Sequence, residues 1–186
     1  PDLSVAEAAN AVKQLWIDTF VAYSRACYAA CAQVITLFEG NYPLQLEDGA
    51  NPDRLCVIPN GIDPQLYENM ARPTDEERRT RRPLIALVGR VVPIKDIKTF
   101  IRACSNLRAR VPNVLCYILG PMDEDPAYAR ACRELVDNHQ MQGHIEFKGM
   151  VNLVDYYGQL DVMVLTSISE AQPLVILEAG VAGVPS

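Results

Sequence analysis

From residue 84 onward the chain alternates short apolar segments with longer amphipathic ones, and that rhythm leaves few folds open. The strand candidates are 84–88 (Leu-Ile-Ala-Leu-Val), 114–119 (Val-Leu-Cys-Tyr-Ile-Leu), 144–148 and 162–166 (Val-Met-Val-Leu-Thr). They are apolar along their length rather than alternating, as strands buried on both faces are. Helix candidates fill the gaps at 96–110, 126–139 and 153–160, with a last one at 173–182. The first of these places Ile97, Phe100, Ile101, Cys104 and Leu107 on one stripe. Strand and helix in strict turn predict βαβ units, and so an α/β class with a doubly wound, Rossmann-like parallel sheet. In such a sheet ligands bind beyond the carboxyl ends of the strands.

The residues before 84 read differently. Val5, Ala8, Val12, Leu15, Trp16, Phe20 and Tyr23 recur at roughly helical spacing and predict one long helix, or two short ones, over 4–33. Strand candidates follow at 34–38 and 55–58, the second running into the turn Pro59-Asn60-Gly61-Ile62-Asp63-Pro64. The polar stretch 71–82 reads as an exposed connection. The organisation expected is therefore a mainly helical part over 1–50, a connection over 51–82 and the Rossmann-like domain over 83–186. The closing Gly183-Val184-Pro185 predicts that a further strand follows the last helix, so the sheet is expected to be incomplete at its C-terminal side. An open sheet edge of that kind invites self-association.

Composition narrows the partners. The chain has 186 residues and a formal net charge of −6, with no basic stripe, which argues against nucleic acid. Arg78-Arg79-Thr80-Arg81-Arg82 follows Asp75-Glu76-Glu77 and reads as a solvated linker or helix end. No run of eighteen apolar residues exists, and Asp2 and Glu7 stand where a signal peptide would be basic. A cytoplasmic setting follows as the expectation. The six cysteines lie in apolar segments without zinc spacing and are expected to be reduced. A G-x-x-x-x-G-K-[ST] loop and a G-x-G-x-x-G turn are both absent, which disfavours P-loop hydrolysis and nicotinamide chemistry.

Two segments carry chemistry. After the first buried strand comes Gly89-Arg90-Val91-Val92-Pro93-Ile94-Lys95-Asp96. Arg90 and Lys95 bracket the start of a helix, and two cations beside a helix N-terminus suit an anion; a pair of solvated surface cations is the alternative. Near the end, Glu170 lies on a loop before Pro173, read as the first helical residue, and Glu178 lies in the second turn. Carboxylates so placed accept hydrogen bonds from hydroxyl pairs, or act as a capping acid followed by one solvated glutamate. Asp123-Glu124-Asp125 reads as a helix N-cap cluster rather than a metal site. His139 and His144 have no partner at motif spacing, and Tyr156 and Tyr157 read as packing residues.

Taken together, Asn60-Gly61-Ile62-Asp63 after Val57-Ile58-Pro59, Gly89-Arg90 with Lys95, and Glu170 and Glu178 ahead of Ala182-Gly183-Val184-Pro185 resemble the retaining GT-B glycosyltransferases of family GT4, over roughly residues 55–186. The stretches 90–96 and 165–173 are similar to the PelF-like branch that serves Pel exopolysaccharide synthesis, with Gln172-Pro173 where many GT4 members carry Phe-Gly. The resemblance implies that 83–186 is the donor-binding, C-terminal domain of a GT-B fold and 1–50 a remnant of the acceptor domain. It implies that Arg90 and Lys95 bind the donor diphosphate and stabilise the leaving nucleotide. Glu178 would hold ribose hydroxyls, Glu170 the donor sugar, and Gly89, Gln172, Pro173 and Leu174 would face sugar and phosphates. Gly149, Met150 and Val151 would border the base, while Asp161 and Ser167 match family positions but read as cap or strand-end residues. The implied reaction is hexosyl transfer with retention, from UDP-glucose to a growing polysaccharide or other saccharide acceptor, without a metal. This chain would supply the donor site only, beside a membrane-bound exopolysaccharide complex. A nucleotide-sugar-binding module without catalysis is the alternative.

Overall fold

The computed structural model describes residues 5–186, which divide into two compact units between Asn60 and Gly61. In the first unit, α1 (Val5–Ala30) is followed by β1 (Val34–Thr36), α2 (Tyr42–Glu47) and β2 (Leu55–Val57). The two strands pair in parallel, with Val34 opposite Leu55 and Thr36 opposite Val57. β1 ends at Thr36, short of the expected Phe38, because Phe38 opens a 3-10 turn and Asn41 reaches back to the Thr36 hydroxyl at 3.0 Å. Of the apolar residues that predicted α1, Val12, Leu15, Trp16, Phe20 and Tyr23 stand exposed in the structure.

The second unit contains α3 (Asp75–Thr80), β3 (Leu84–Val88), α4 (Ile97–Arg108), β4 (Leu115–Leu119), α5 (Pro126–Asn138), β5 (Ile145–Gly149), α6 (Val154–Tyr157), β6 (Val162–Met163) and α7 (Leu174–Val181). Its four strands are all parallel and lie in the order β5-β4-β3-β6. This is the doubly wound, Rossmann-like sheet that the alternation predicts. β3 is central and covered on both faces. On one face Leu87 joins Phe100, Ile101, Ile118 and Cys132 under α4 and α5. On the other, Leu84, Ala86 and Val88 join Tyr157, Leu160, Met163 and Ala179 under α6 and α7.

Local chemistry sets the helix starts. Asp125 accepts a hydrogen bond from the Tyr128 N–H and Pro126 occupies the first helical position, so the acidic triplet does begin α5 as an N-cap. Asp96 adopts a left-handed backbone (φ 44°) to cap α4 through Thr99 N–H, a conformation its short polar side chain tolerates better than most.

Three expectations need correction. The stretch 71–82 is mostly exposed and does hold a helix end, but several of its arginines are engaged by other elements rather than free in solvent. α3 starts with a reciprocal capping box between Thr74 and Glu77, and its arginines reach across the chain. Arg78 and Arg81 pair with one oxygen of Asp161 at 3.0 and 2.6 Å, while the other oxygen accepts the Leu84 N–H at 2.8 Å. Arg82 donates to the carbonyls of Asn113, Val114 and Gly143. An all-polar stretch carries no periodicity that could announce partners eighty residues away. β6 is also shorter than 162–166, because beyond Val164 the chain turns to serve the neighbouring loop. Pro173, finally, caps α7 with extended backbone (ψ 120°) instead of opening it. Beyond α7, the Pro185 carbonyl accepts the Met163 N–H at 2.9 Å, which places it beside β6.

Asp161 thus ties α3, β3 and the entry to β6 together. Asp161→Ala leaves two half-buried guanidiniums and the Leu84 N–H short of an acceptor. The variant is expected to lose about 1–3 kcal/mol, read as a lower urea midpoint at unchanged slope, and Asp161→Asn about half of that.

Candidate functional site

The strand order reverses between β3 and β6, and there the loops leaving their carboxyl ends lie against each other. Three bonds stitch the two loops together. The Thr166 hydroxyl lies 2.9 and 3.0 Å from the Lys95 and Asp96 carbonyls, and the Ile168 N–H donates to the Ile94 carbonyl at 2.9 Å. Across this seam Lys95 Nζ pairs with Glu170. Their side chains are only 18% and 24% exposed, so the pair is better shielded from solvent than an ordinary surface bridge. The stem of Lys95 lies on Gly89, where an added Cβ would stand 3.5 Å from the lysine Cδ.

Burial alone would raise the Glu170 carboxyl. The hydrogen bond from Lys95, the approach of the Ser167 hydroxyl and the Lys95 and Arg90 charges outweigh it and hold the group below the ordinary carboxylate range. The buried Ser167 hydroxyl nears Glu170 without closing a bond of regular geometry. Asp161, in contrast, is the strand-end residue the sequence suggests.

Arg90 has a carboxylate partner of its own. Its Nη1 lies 2.7 and 2.6 Å from the two oxygens of Glu124, with both side chains about half exposed. Each cation is therefore met by its own carboxylate, and Glu124 is a site residue the sequence reading passed over. Its signal was available, since the acidic triplet follows β4 at the same sheet edge. A second adjustment concerns α4, whose N-terminus is already answered by the Asp96 side chain. The positive character of the edge rests on Arg90 and Lys95.

Between the ends of β3, β4 and β5 lies a cleft of about 220 Å³, lined by Gly89, Arg90, Gly120, Pro121, Met150 and Val151 and closed behind by Leu153 and Val175. Met150 stands at its rim, 78% exposed. Gly120 is required here: its φ is +150°, and an added Cβ would lie 2.2 Å from the Gly89 carbonyl oxygen. Gly89, Arg90 and Met150 are thus brought to one cleft. Gln172, Pro173 and Leu174 stand at the entry to α7, outside its lining.

Glu178 lies on α7, three residues beyond Val175. The Tyr157 hydroxyl donates to its Oε2 at 2.7 Å. Tyr157 is 1% exposed and Tyr67 packs edge-on against it, ring centres 6.0 Å apart. Burial, and then the hydrogen bond and charge of Glu178, push the Tyr157 hydroxyl far above its usual range.

A larger hollow, about 580 Å³, opens at the other edge of the sheet beside Arg81, Arg82, Leu84 and Leu115. Arg81 and Arg82 are already engaged by Asp161 and by backbone carbonyls. The opposed cations and carboxylates lie instead at the carboxyl edge. Among the described residues no group of three His, Cys, Asp or Glu could hold a metal ion, and no helix is long and apolar enough to cross a membrane.

A family model described as glycosyl transferases group 1 matches residues 71–186. The chain belongs to that family. Residues 2–53 match a second model, a domain of unknown function (DUF3492). Among curated relatives, the D-inositol 3-phosphate glycosyltransferase of Rhodococcus jostii is 30% identical over 150 residues, spanning 74% of this chain and 32% of that protein. The Corynebacterium glutamicum protein of the same name is 29% identical, over 73% and 35%. The chain thus spans about a third of the length of these relatives. Among solved structures, Anabaena HepE in complex with UDP and glucose superposes with a TM-score of 0.76 at 18% identity, covering 88% of this chain and 46% of that one. Sucrose-phosphate synthase from Thermosynechococcus elongatus gives 0.74 at 22%, over 90% and 43%. The fold is that of GT-B glycosyltransferases. These relatives do not single out the PelF-like branch.

Two outcomes follow for the site. Gly120→Ala is expected to cost about 2–3 kcal/mol through backbone strain and overlap, seen as a lower melting temperature. The Glu170 carboxyl sits below the unfolded-state value near 4.5, so its stabilisation is complete above that value and lost as pH falls through the folded pKa. In Lys95→Met the hydrogen bond and charge of the lysine are lost while burial remains, and the carboxyl rises from its wild-type position. Stability of wild type minus variant, from urea curves at pH 7 and pH 4, is expected to shrink on acidification.

Proposed function

We propose that residues 61–186 carry the nucleotide-sugar donor site of a retaining hexosyltransferase, with UDP-glucose as donor. The observation that supports it is the pairing of Lys95 with Glu170 across the β3/β6 switch, with Arg90 held by Glu124 at the same edge. Two cations with exchangeable carboxylate partners are what a diphosphate needs. On binding, phosphate oxygens take the place of Glu124 at Arg90 and of Glu170 at Lys95. The released Glu170 carboxylate then accepts hydrogen bonds from the hydroxyls of the donor sugar. Glu178 takes the ribose, and the base enters the cleft beside Gly120, Met150 and Val151. Gly89 lets the diphosphate approach the backbone, and the chain at Gln172, Pro173 and Leu174 faces sugar and phosphate.

As the bond from sugar to phosphate breaks, negative charge grows on the departing diphosphate. Arg90 and Lys95 therefore stabilise the transition state more than the ground state. That charge is met by side chains, and the reading requires no metal. The acceptor is a growing polysaccharide or other saccharide, and Gln172-Pro173 supports the PelF-like branch, acting in the cytoplasm at a membrane-bound exopolysaccharide complex. A nucleotide-sugar-binding module without catalysis would share every feature of the donor site and differ only in transferring no labelled sugar.

Calorimetric titration of UDP, ADP, UDP-glucose and NAD into the 186-residue chain tests the reading. Saturable UDP binding, weakened at least about tenfold by Arg90→Ala and absent for NAD, is the expected result. A folded chain that binds none of the four, or binds UDP equally well after Arg90→Ala, overturns it.

A further inference from the structure

The sequence reading leaves Tyr157 with packing alone, yet its hydroxyl sits at the one acidic side chain of α7. We propose that Tyr157 is a positioning residue that fixes the Glu178 carboxylate for a vicinal diol, and so makes the site select ribonucleoside over 2′-deoxyribonucleoside diphosphates. The proposal rests on the donor-site reading above.

Geometry carries it. Tyr157 is 1% exposed, so no water replaces a lost partner for its hydroxyl. Its short bond goes to Glu178 Oε2 at 2.7 Å, and the Val175 carbonyl, at 3.4 Å, is a distant second. Tyr67 packs edge-on against the ring at an interplanar angle of 64°, while Leu160, Met163 and Ala179 belong to the same buried cluster. The donor therefore cannot swing away. On α7 a spacing of three residues puts Glu178 on the side of Val175, and Val175 is a wall of the cleft. Oε2 accepts from Tyr157, and Oε1 is the other acceptor of the same carboxylate.

A free glutamate explores many rotamers, and freezing them on binding weakens a ligand. Here the tyrosine freezes them beforehand and leaves an acceptor oxygen for the ligand. A diol offers two donors to such a carboxylate, whereas a 2′-deoxyribose offers one. Burial, then the hydrogen bond and charge of Glu178, push the tyrosine hydroxyl up and so favour its protonated, donating form.

The test compares affinities for UDP and 2′-deoxy-UDP by calorimetry in the 186-residue chain and four variants. Wild type is expected to prefer UDP, and Glu178→Gln to lose that preference. Tyr157→Phe keeps the ring and should lower the ratio about three- to tenfold. 3-Fluorotyrosine at position 157, which keeps ring and hydroxyl, should restore the ratio, and Tyr67→Phe should leave it unchanged. A ratio preserved in Tyr157→Phe but lost in Glu178→Gln overturns the role of Tyr157 alone. A ratio lowered equally by Tyr67→Phe, or not restored by 3-fluorotyrosine, assigns the effect to packing and overturns it too. Should Glu178→Gln keep the wild-type ratio, or wild type bind no nucleotide, the donor-site reading fails as well.

Discussion

The burial of β3 on both faces is the constraint from which the rest of the Gly61–Ser186 unit follows. With α4 and α5 on one side and α6 and α7 on the other, the central strand has no solvent-facing position for a functional side chain. Polar chemistry is displaced to its carboxyl end, where Gly89 and Arg90 emerge. Because β4 and β6 flank β3 on opposite sides, the segments that leave these strands diverge. The observed cleft lies between the ends of β3, β4 and β5, and the site is assembled from the loops that border that edge.

The borders are held by backbone as much as by side chains. Thr166 and Ile168 bind the β6 loop to the carbonyls of Ile94, Lys95 and Asp96. That seam brings Lys95 and Glu170 into contact although they are 75 residues apart. At the same edge Glu124, on the loop entering α5, meets Arg90. A site whose cations already have carboxylate partners holds those cations in fixed positions, which is what the proposed donor site draws on.

Much of this was legible in the residues. The four buried strands of the second unit, their parallel arrangement and the N-cap role of Asp125 follow from apolar runs and capping chemistry, which act over a few residues. Gly89, Arg90, Lys95, Glu170 and Glu178 were all marked by type and by position at strand ends or helix starts. The reading went astray where partners are distant. Arg78, Arg81 and Arg82 resemble a solvated run because their acceptors, Asp161 and three carbonyls, come from other elements. The cap cluster at 123–125 and the packing of Tyr157 hold as read, but the further partners of Glu124 and Tyr157, which come from across the fold, were not visible.

Sequence alone determined the alternation, the class of sheet, the family and the set of charged residues near its carboxyl edge, because propensity, periodicity and motif spacing are local. Only the tertiary structure decided which charge meets which. Arg90 answers Glu124, Lys95 answers Glu170, Asp161 gathers two arginines, and a buried tyrosine orients Glu178. Electrostatic and hydrogen-bond energies depend on distance and burial in space, and neither is written in the separation of two residues along the chain.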